Sequence, residues 1–556
     1  MQREQSFSPA PPPPGWKIYR QLKVAGKSHS FASMVVAALP STRVVIVLSI
    51  VFSLLAAAVS VPWINSSFII SATAGVPAAI TTSKTSIITS NASFSDKEQP
   101  AVLPPPASPP PPAIIPFSCP AANQTKSTIC GAIPSIQLPE KSLLSPPPLP
   151  SSCPDYFRWI HEDLKPWRRT GITKEMVERA GRTANFRLVI LGGRAFVQRL
   201  RPSFQTRDVF TLWGLVQLLR RYPGRVPDLD LMFDTVDYPV VKAADYRGRN
   251  ASAPPPPLFR YCSDDSSLDV VFPDWSFWGW PEINIKPWEK LKEELKEANE
   301  KIKWTDREPY AYWKGNPAVA ATRRDLLRCN VSQSQDWNAR LYAQDWQSET
   351  HKGFNESNLA SQCIHRYKIY IEGSAWSVSE KYILACNSMA LIVKPQYYDF
   401  FTRGLMPVQH YWPVRQDEKC RSIKFAVDWA NSHKRKAQAI GNEASDFIHE
   451  KLKMDYVYDY MFHLLNEYAK LLKFKPTKPR RTIELCAETM ACSAQNLTKQ
   501  FMMDSMVKSP HASPPCSLSP PFSPMELRVH QRRKANSIEQ VEIWEQRAWE
   551  SQSSNN

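Results

Sequence analysis

The chain has 556 residues, with 69 Lys and Arg against 52 Asp and Glu for a formal charge of +17, and with 50 Pro, 17 Gly and 11 Cys. Of the prolines, 24 fall in the first 150 residues, and a proline-rich stretch cannot build a packed core, because its rings remove amide donors and fix φ. The rest of the chain, at 43% hydrophobic residues overall, is not a disordered polymer. Scarce glycine excludes a collagen-like repeat, and the lack of a 20–50-residue period excludes a solenoid.

Residues 1–43 carry Arg3, Lys17, Arg20, Lys23, Lys27 and Arg43 against Glu4 alone. Val44–Ile64 then runs 21 residues without a charge, long enough to cross about 30 Å of hydrocarbon as a helix. The first charge beyond it is Lys84, so the positive-inside rule predicts a cytosolic tail (1–43), a single transmembrane anchor (44–64) and everything later across the membrane. A cleaved signal peptide would need an n-region of 43 residues, well outside the usual pattern.

Residues 65–152 are rich in Ser, Thr, Ala and Pro and read as an extended, disordered stem. All cysteines lie at or after Cys119, where disulfides can form, and their odd number leaves at least one unpaired or intermolecular. Acceptor triplets for N-glycosylation occur at Asn65, Asn91, Asn123, Asn250, Asn330, Asn355 and Asn496. The C-terminus is no retrieval signal. The expected address is the Golgi membrane, type II with the domain lumenal, the ER being the other possibility. The basic residues are dispersed apart from Arg532, Arg533 and Lys534. A lumenal domain meets no nucleic acid, so the charge reads as solvated faces or as a site for an anionic nucleotide.

In the globular part the pattern predicts strands at Phe186–Gly192, Asp230–Asp234, Leu258–Cys262, Leu268–Phe272, Tyr310–Trp313, Tyr367–Ile371 and Ala390–Val393. It predicts helices at Thr206–Tyr222, Trp288–Ile302, from Gly315 to about Cys329, and at Trp376–Ala385, Ile423–Ala437 and Glu443–Leu472. Short apolar strands alternating with helices read as parallel α/β units, enough for two, split near residues 303–309. Ligands in such sheets bind beyond the carboxyl ends of strands. That makes Asp234–Tyr238, Lys314–Asn316 and Glu372–Lys381 the candidate segments. No zinc signature, P-loop, GxGxxG or GxSxG is present. At Glu372-Gly373 a strand meets a helix start, which suits phosphate, with Ser377 and Lys381 able to add a hydroxyl and a charge. An ordinary helix cap with a surface lysine fits the same residues.

The stretch YKIYIEGSAWSVSEKYILACNSMALIVKPQYYDFFTRGLMPVQHYWPV (367–414) resembles glycosyltransferase family 90, which includes the Rumi-type protein O-glucosyltransferases and capsule-associated xylosyltransferases. DLMFDTVDYP (230–239), VFPDWSFWGW (271–280) and YAYWKGNPAVAATRR (310–324) share the resemblance, which covers roughly residues 155–475. The tail from Pro476 is similar to that of plant Rumi-like members. The resemblance implies a GT-B-like α/β fold of two Rossmann-like domains facing a cleft. The N-terminal, acceptor-side domain would span 153–305, the C-terminal UDP-sugar-binding domain 306–475, and a C-terminal extension 476–556. It further implies a UDP-sugar donor, inversion at the anomeric carbon and no bound metal or other cofactor.

Carried over by position, Asp237 falls where the family has its base, with Asp234 and Asp274 as competing carboxylates. Lys314 and Gly315 fall on a family F-R-G-S stretch, where lysine loses the bidentate fork of arginine. Gly373, Ser374, Ala375, Trp376 and Ser377 match the donor-binding turn. Ser379 stands where many members have Arg, for which Lys381 is a partial substitute and Arg323 and Arg324 a second possibility. Of Trp275, Phe277, Trp278 and Trp280, one or two are expected to face the acceptor and the others to form a buried cluster. The expected function is transfer of glucose or xylose from a UDP-sugar to a hydroxyl of a glycoprotein or polysaccharide. The alternative is a catalytically silent carbohydrate-binding or scaffold protein of the Golgi lumen.

Overall fold

The computed structural model describes residues 114–119, 130–131, 151–247 and 253–554. The expected anchor Val44–Ile64 lies outside the described residues. Among the described residues, no helix is long and apolar enough to cross a membrane.

Strands β1 (Phe186–Leu191) and β2 (Arg194–Arg199) form a hairpin. Gly192 and Gly193 turn it with φ of +54° and +74°, a left-handed pair that glycine adopts without strain. A buried helix, α1 (Arg207–Arg221), then leads to β3 (Leu229–Phe233), which pairs with the other edge of β1, antiparallel. β4 (Leu258–Arg260) and β5 (Val270–Val271) continue parallel to β3. The first half therefore departs from the expected parallel sheet: only β3, β4 and β5 are parallel. The reason is the Gly-Gly turn, since two residues can only return a chain antiparallel.

Helix α2 (Trp288–Lys301) leads into the second half. There β6 (Glu308–Gly315), α3 (Ala321–Leu326), β7 (Ala339–Ala343), β8 (His365–Tyr370), α4 (Ser379–Leu384), β9 (Met389–Val393) and β10 (Trp412–Val414) follow in turn. The sheet is wholly parallel, in the order β10-β9-β8-β6-β7. This is a doubly wound order, and its topological switch point lies between β6 and β8.

Three helices close this half instead of the two expected: α5 (Lys419–Ser432), α6 (Lys434–Lys451) and α7 (Met454–Leu471). The breaks at His433 and Lys453 carry neither Gly nor Pro to announce them. Helix α7 returns to the first sheet, where Tyr468 Oη donates to Asp230 O at 2.9 Å. Residues beyond 475 stay on the same body. β11 (Ile483–Leu485) extends the first sheet along β2, and α8 (Pro524–Ser554) lies along α5 with Val541 buried.

The cysteines pair as an oxidising compartment would allow. Cys119–Cys492, Cys130–Cys486 and Cys153–Cys516 fasten the end of the stem onto the C-terminal segment. Cys329–Cys420 and Cys363–Cys386 lie within the second half. The odd cysteine is the buried Cys262. One apolar core runs from beneath the first sheet through Trp376, Tyr382 and Leu384 of the second half. A second core fills the opposite face of the parallel sheet, under α5.

Helix α6 packs on the chain entering β9 through Gly441, where an added Cβ would sit 2.4 Å from the main-chain oxygen of Asn387. Because backbone cannot rotate aside, Gly441→Ala is expected to destabilise the protein by about 1–3 kcal/mol. Urea denaturation would read this as a lower midpoint at unchanged slope, and an unaltered midpoint would show that α6 can slide outward.

Candidate active site

The loop after β3 is held at nearly every polar backbone atom. Thr235 N donates to Asn185 Oδ1 and Val236 N to Asp234 Oδ1. Arg260 donates to Val236 O and Tyr238 O, Arg207 to Thr235 O, and the Cys262 thiol to Asp237 O. Burial pushes the Cys262 thiol well up, which keeps its proton in place for that bond. In this fixed loop the Asp237 carboxylate stands 25% exposed, with Oδ1 taking a 2.5 Å bond from Arg207 Nη1.

Both competing carboxylates are committed to structure. Asp234, 1% exposed, pairs with Arg260, whose Nε lies 3.2 Å from Asp269 Oδ1. Asp269 in turn accepts from the amides of Val240 and Val241. Asp274, 3% exposed, caps the short turn at Trp275 through Ser276 N and Ser276 Oγ and pairs with Lys381. The sequence gives no sign of this difference, because burial is set by β4 and α4 packing over the two acids.

The aromatic run divides in the same way. Trp275, Phe277 and Trp278 are fully buried, and only Trp280 of the four keeps part of its surface. The expectation of an acceptor-facing ring narrows to Trp280, whose Nε1 donates to Gln205. Arg207 lies 4.3 Å from the Trp275 ring centroid and 5.9 Å from that of Trp280.

Across the cleft, the segments after β6 and β8 flank the switch point. Gly373 N bonds to Ala375 O at 3.0 Å, closing a tight turn in which Ala375 takes φ +61°. The amides of Ser374, Ala375 and Val378 have no partner among the described residues. Helix α4 begins at Ser379, three residues later than expected. The groups that could meet an anion here are therefore these turn amides and the hydroxyls of Ser377 and Ser379, which share a 2.9 Å bond, and not a helix starting at Trp376. Behind the turn, Arg323 donates to Ile371 O, Glu372 O and Asn316 O, stitching the two loops together. A Cβ on Gly373 would come within 3.2 Å of that guanidinium.

The two expected lysines have other partners. Lys314 Nζ, at the end of β6, donates to Glu356 O at 2.5 Å. Lys381 is buried, donating to Asp274 Oδ2 at 3.1 Å and Ser276 Oγ at 2.9 Å in the first half and to Val378 O of the turn at 3.3 Å. A charge buried this deeply needs a counter-charge, and Asp274 supplies it. The cation beneath the turn is Arg323. The turn meets the opposite half through Trp376, whose ring lies 5.7 Å from Tyr261 and 6.3 Å from Trp275.

A family model, Glycosyl transferase family 90, matches residues 149–545. The chain is 25% identical over 343 residues to O-glucosyltransferase rumi of Drosophila melanogaster, covering 59% of this chain and 80% of that protein. It is 25% identical over 345 residues to Protein O-glucosyltransferase 1 of Homo sapiens, covering 59% and 83%. Over 350 residues it is 24% identical to the O-glucosyltransferase rumi homolog of Aedes aegypti, covering 60% and 83%. The chain belongs to glycosyltransferase family 90.

In this glycosyltransferase the family match runs past Pro476, in agreement with β11 and α8 being integral to the fold. Sequence reasoning missed Arg207, Arg260 and Cys262, and it gave Glu372, inside a candidate segment, no role of its own. Arg260 left a signal, a charge inside an otherwise apolar strand, whereas Arg207 looks like any first-turn helix residue. Glu372 accepts from the amides of Gln396 and Tyr397. These two residues, with Asp264, Glu380, Arg403 and Lys534 among others, line a cavity of about 620 Å³ between the halves.

Burial pushes the Glu372 carboxyl up to about 7 from its ordinary 4.5. The folded state thus keeps a proton that the unfolded chain loses, so this group's contribution is full below pH 4.5 and is lost as pH rises to about 7. Glu372→Gln is expected to lose less thermal stability than wild type between pH 5 and pH 8. Equal losses in scanning calorimetry would contradict the buried acid.

Proposed function

We propose that this glycosyltransferase moves glucose or xylose from a UDP-sugar to a hydroxyl of a glycoprotein or polysaccharide, with inversion and Asp237 as general base. The observation that carries this reading is the contrast among three carboxylates: Asp234 and Asp274 are buried in ion pairs, and Asp237 presents Oδ2 from a rigid loop. The relatives' names speak of O-glucosyl transfer, which makes UDP-glucose the first donor to try.

In the proposed step Asp237 Oδ2 takes the acceptor proton as that oxygen bonds to C1 of the sugar. The bond from C1 to the β-phosphate oxygen breaks, and UDP departs with the electron pair. The charge it gains meets the amides of Ser374, Ala375 and Val378, the hydroxyls of Ser377 and Ser379, and the field of Arg323. Dipoles already fixed in place need no reorganisation as charge develops. This is how we account for departure of UDP without a metal, which chelation by EDTA would leave unaffected. The acceptor side in this reading is the exposed Tyr238, next to Asp237 in the chain, and Trp280, which lies on the other side of Arg207. Tyr238 lies 5.9 Å from Tyr397 of the cavity wall, and the cavity's carboxylates and phenols suit a hydroxyl-rich ligand. The five disulfides support a domain in an oxidising compartment of the secretory pathway; the address we propose is the Golgi membrane, with Val44–Ile64 as the anchor.

Two measurements test this. With detergent-solubilised full-length protein, UDP release from UDP-glucose, UDP-xylose and UDP-galactose identifies the donor. In Asp237→Asn that release should fall by roughly 10²–10⁴-fold with UDP binding retained, and full activity would refute the assignment. For the address, glycan mapping should find Asn355 and Asn496 occupied, both being exposed. Asn330 should be bare, because its Nδ2 and Oδ1 are bonded to the main chain of Leu341. Unmodified Asn355 and Asn496 in protein from a secreting cell would argue against lumenal exposure.

A further inference from the structure

Arg207 opens helix α1, and every hydrogen bond its guanidinium makes among the described residues goes to the loop that carries Asp237. Nη1 donates both to Thr235 O at 3.1 Å and to Asp237 Oδ1 at 2.5 Å. Its planar face packs on Trp275, and Phe204 and Trp280 stand at 5.1 and 5.9 Å. Stacking fixes a guanidinium's plane while leaving its edge for a carboxylate. Arg207 Nε is buried and has no partner among the described residues.

We propose that Arg207 is a positioning residue for the transfer reaction: it holds Asp237 by Oδ1 so that Oδ2 alone faces the acceptor hydroxyl. The inference rests on Asp237 being the base. The stacked aromatics set the guanidinium, the guanidinium sets both the main chain at Thr235 and the carboxylate rotamer, and the free lone pairs of Oδ2 are left pointing away from the clamp. Without the clamp the carboxylate can rotate about χ1 and χ2, and a displacement of about 1 Å at a reacting group costs on the order of 100-fold in rate.

The test uses full-length protein and whichever of UDP-glucose, UDP-xylose and UDP-galactose gives fastest UDP release. Arg207→Ala should lower kcat on the order of 100-fold with KM and UDP affinity within about twofold, and millimolar guanidinium should restore part of the loss. Arg207→Lys, which keeps the charge and the stem over Trp275, should lie between the two and serves if the alanine variant folds poorly. In an Asp237→Asn background, Arg207→Ala should add no further loss, because the two act as one unit. Wild-type kcat in both Arg207 variants, or a loss that guanidinium leaves untouched and that adds to the Asp237→Asn loss, would overturn the proposal. Activity surviving in Asp237→Asn would instead overturn the base assignment beneath it.

Discussion

A buried ammonium from one half of the molecule is neutralised by a buried carboxylate from the other. Lys381 on α4 and Asp274 after β5 are 2% and 3% exposed, and Ser276 and Tyr382 complete their hydrogen bonding. Pulling the halves apart would strand both charges or demand their rehydration, and losing one partner of such a pair costs about 3–5 kcal/mol. The apolar core that continues from the first sheet into α4 adds to the same constraint. The distance between the loop after β3 and the turn after β8 is consequently a property of the folded core.

That constraint shapes the chemistry. A cleft whose walls share a core presents its groups already aligned, so catalysis draws on preorganisation. The loop from Asp234 to Tyr238 is held by the side chains of Asn185, Arg207, Arg260 and Cys262, and the turn after β8 is stitched to the end of β6 by Arg323. Ala375, a non-glycine residue in left-handed backbone, sits in the donor turn. Strain of this kind persists where the surroundings over-determine the backbone, and functional turns are a common place for it. The contact between the Cys262 thiol and Asp237 O puts the one unpaired cysteine to use as a hydrogen-bond donor inside the machinery.

Much of the fold was legible. The strands at 186, 230, 310, 367 and 390 and the helices at 206 and 288 follow from apolar periodicity and from Gly and Pro at their ends. The Gly192–Gly193 turn was legible as a turn, yet β2 after it reads RAFVQR, as long as β1 but too mixed in polarity to declare itself. β7 and β10 are shorter, at five and three residues, and β11 is a strand only because β2 offers it an edge. At the site, the segments after β3, β6 and β8 were picked out from the sequence because ligands gather at strand ends. The partner of each charge was not found, since Lys381 and Asp274 are 107 residues apart and nothing local couples them.

The sequence alone determined the residue kinds, their order along the chain, the membrane-length apolar run, the cysteines kept to one side of it, and the motifs that mark the family. These are local properties, written in composition and in spacing of a few residues. Only the tertiary structure decided which aspartate stays partly exposed, which lysine is consumed as a bolt between halves, which arginine sits behind the turn after β8, and which tryptophan keeps a surface. A side chain's role depends on its burial and its counter-charge, and the counter-charges come from residues 26, 30 and 107 positions away.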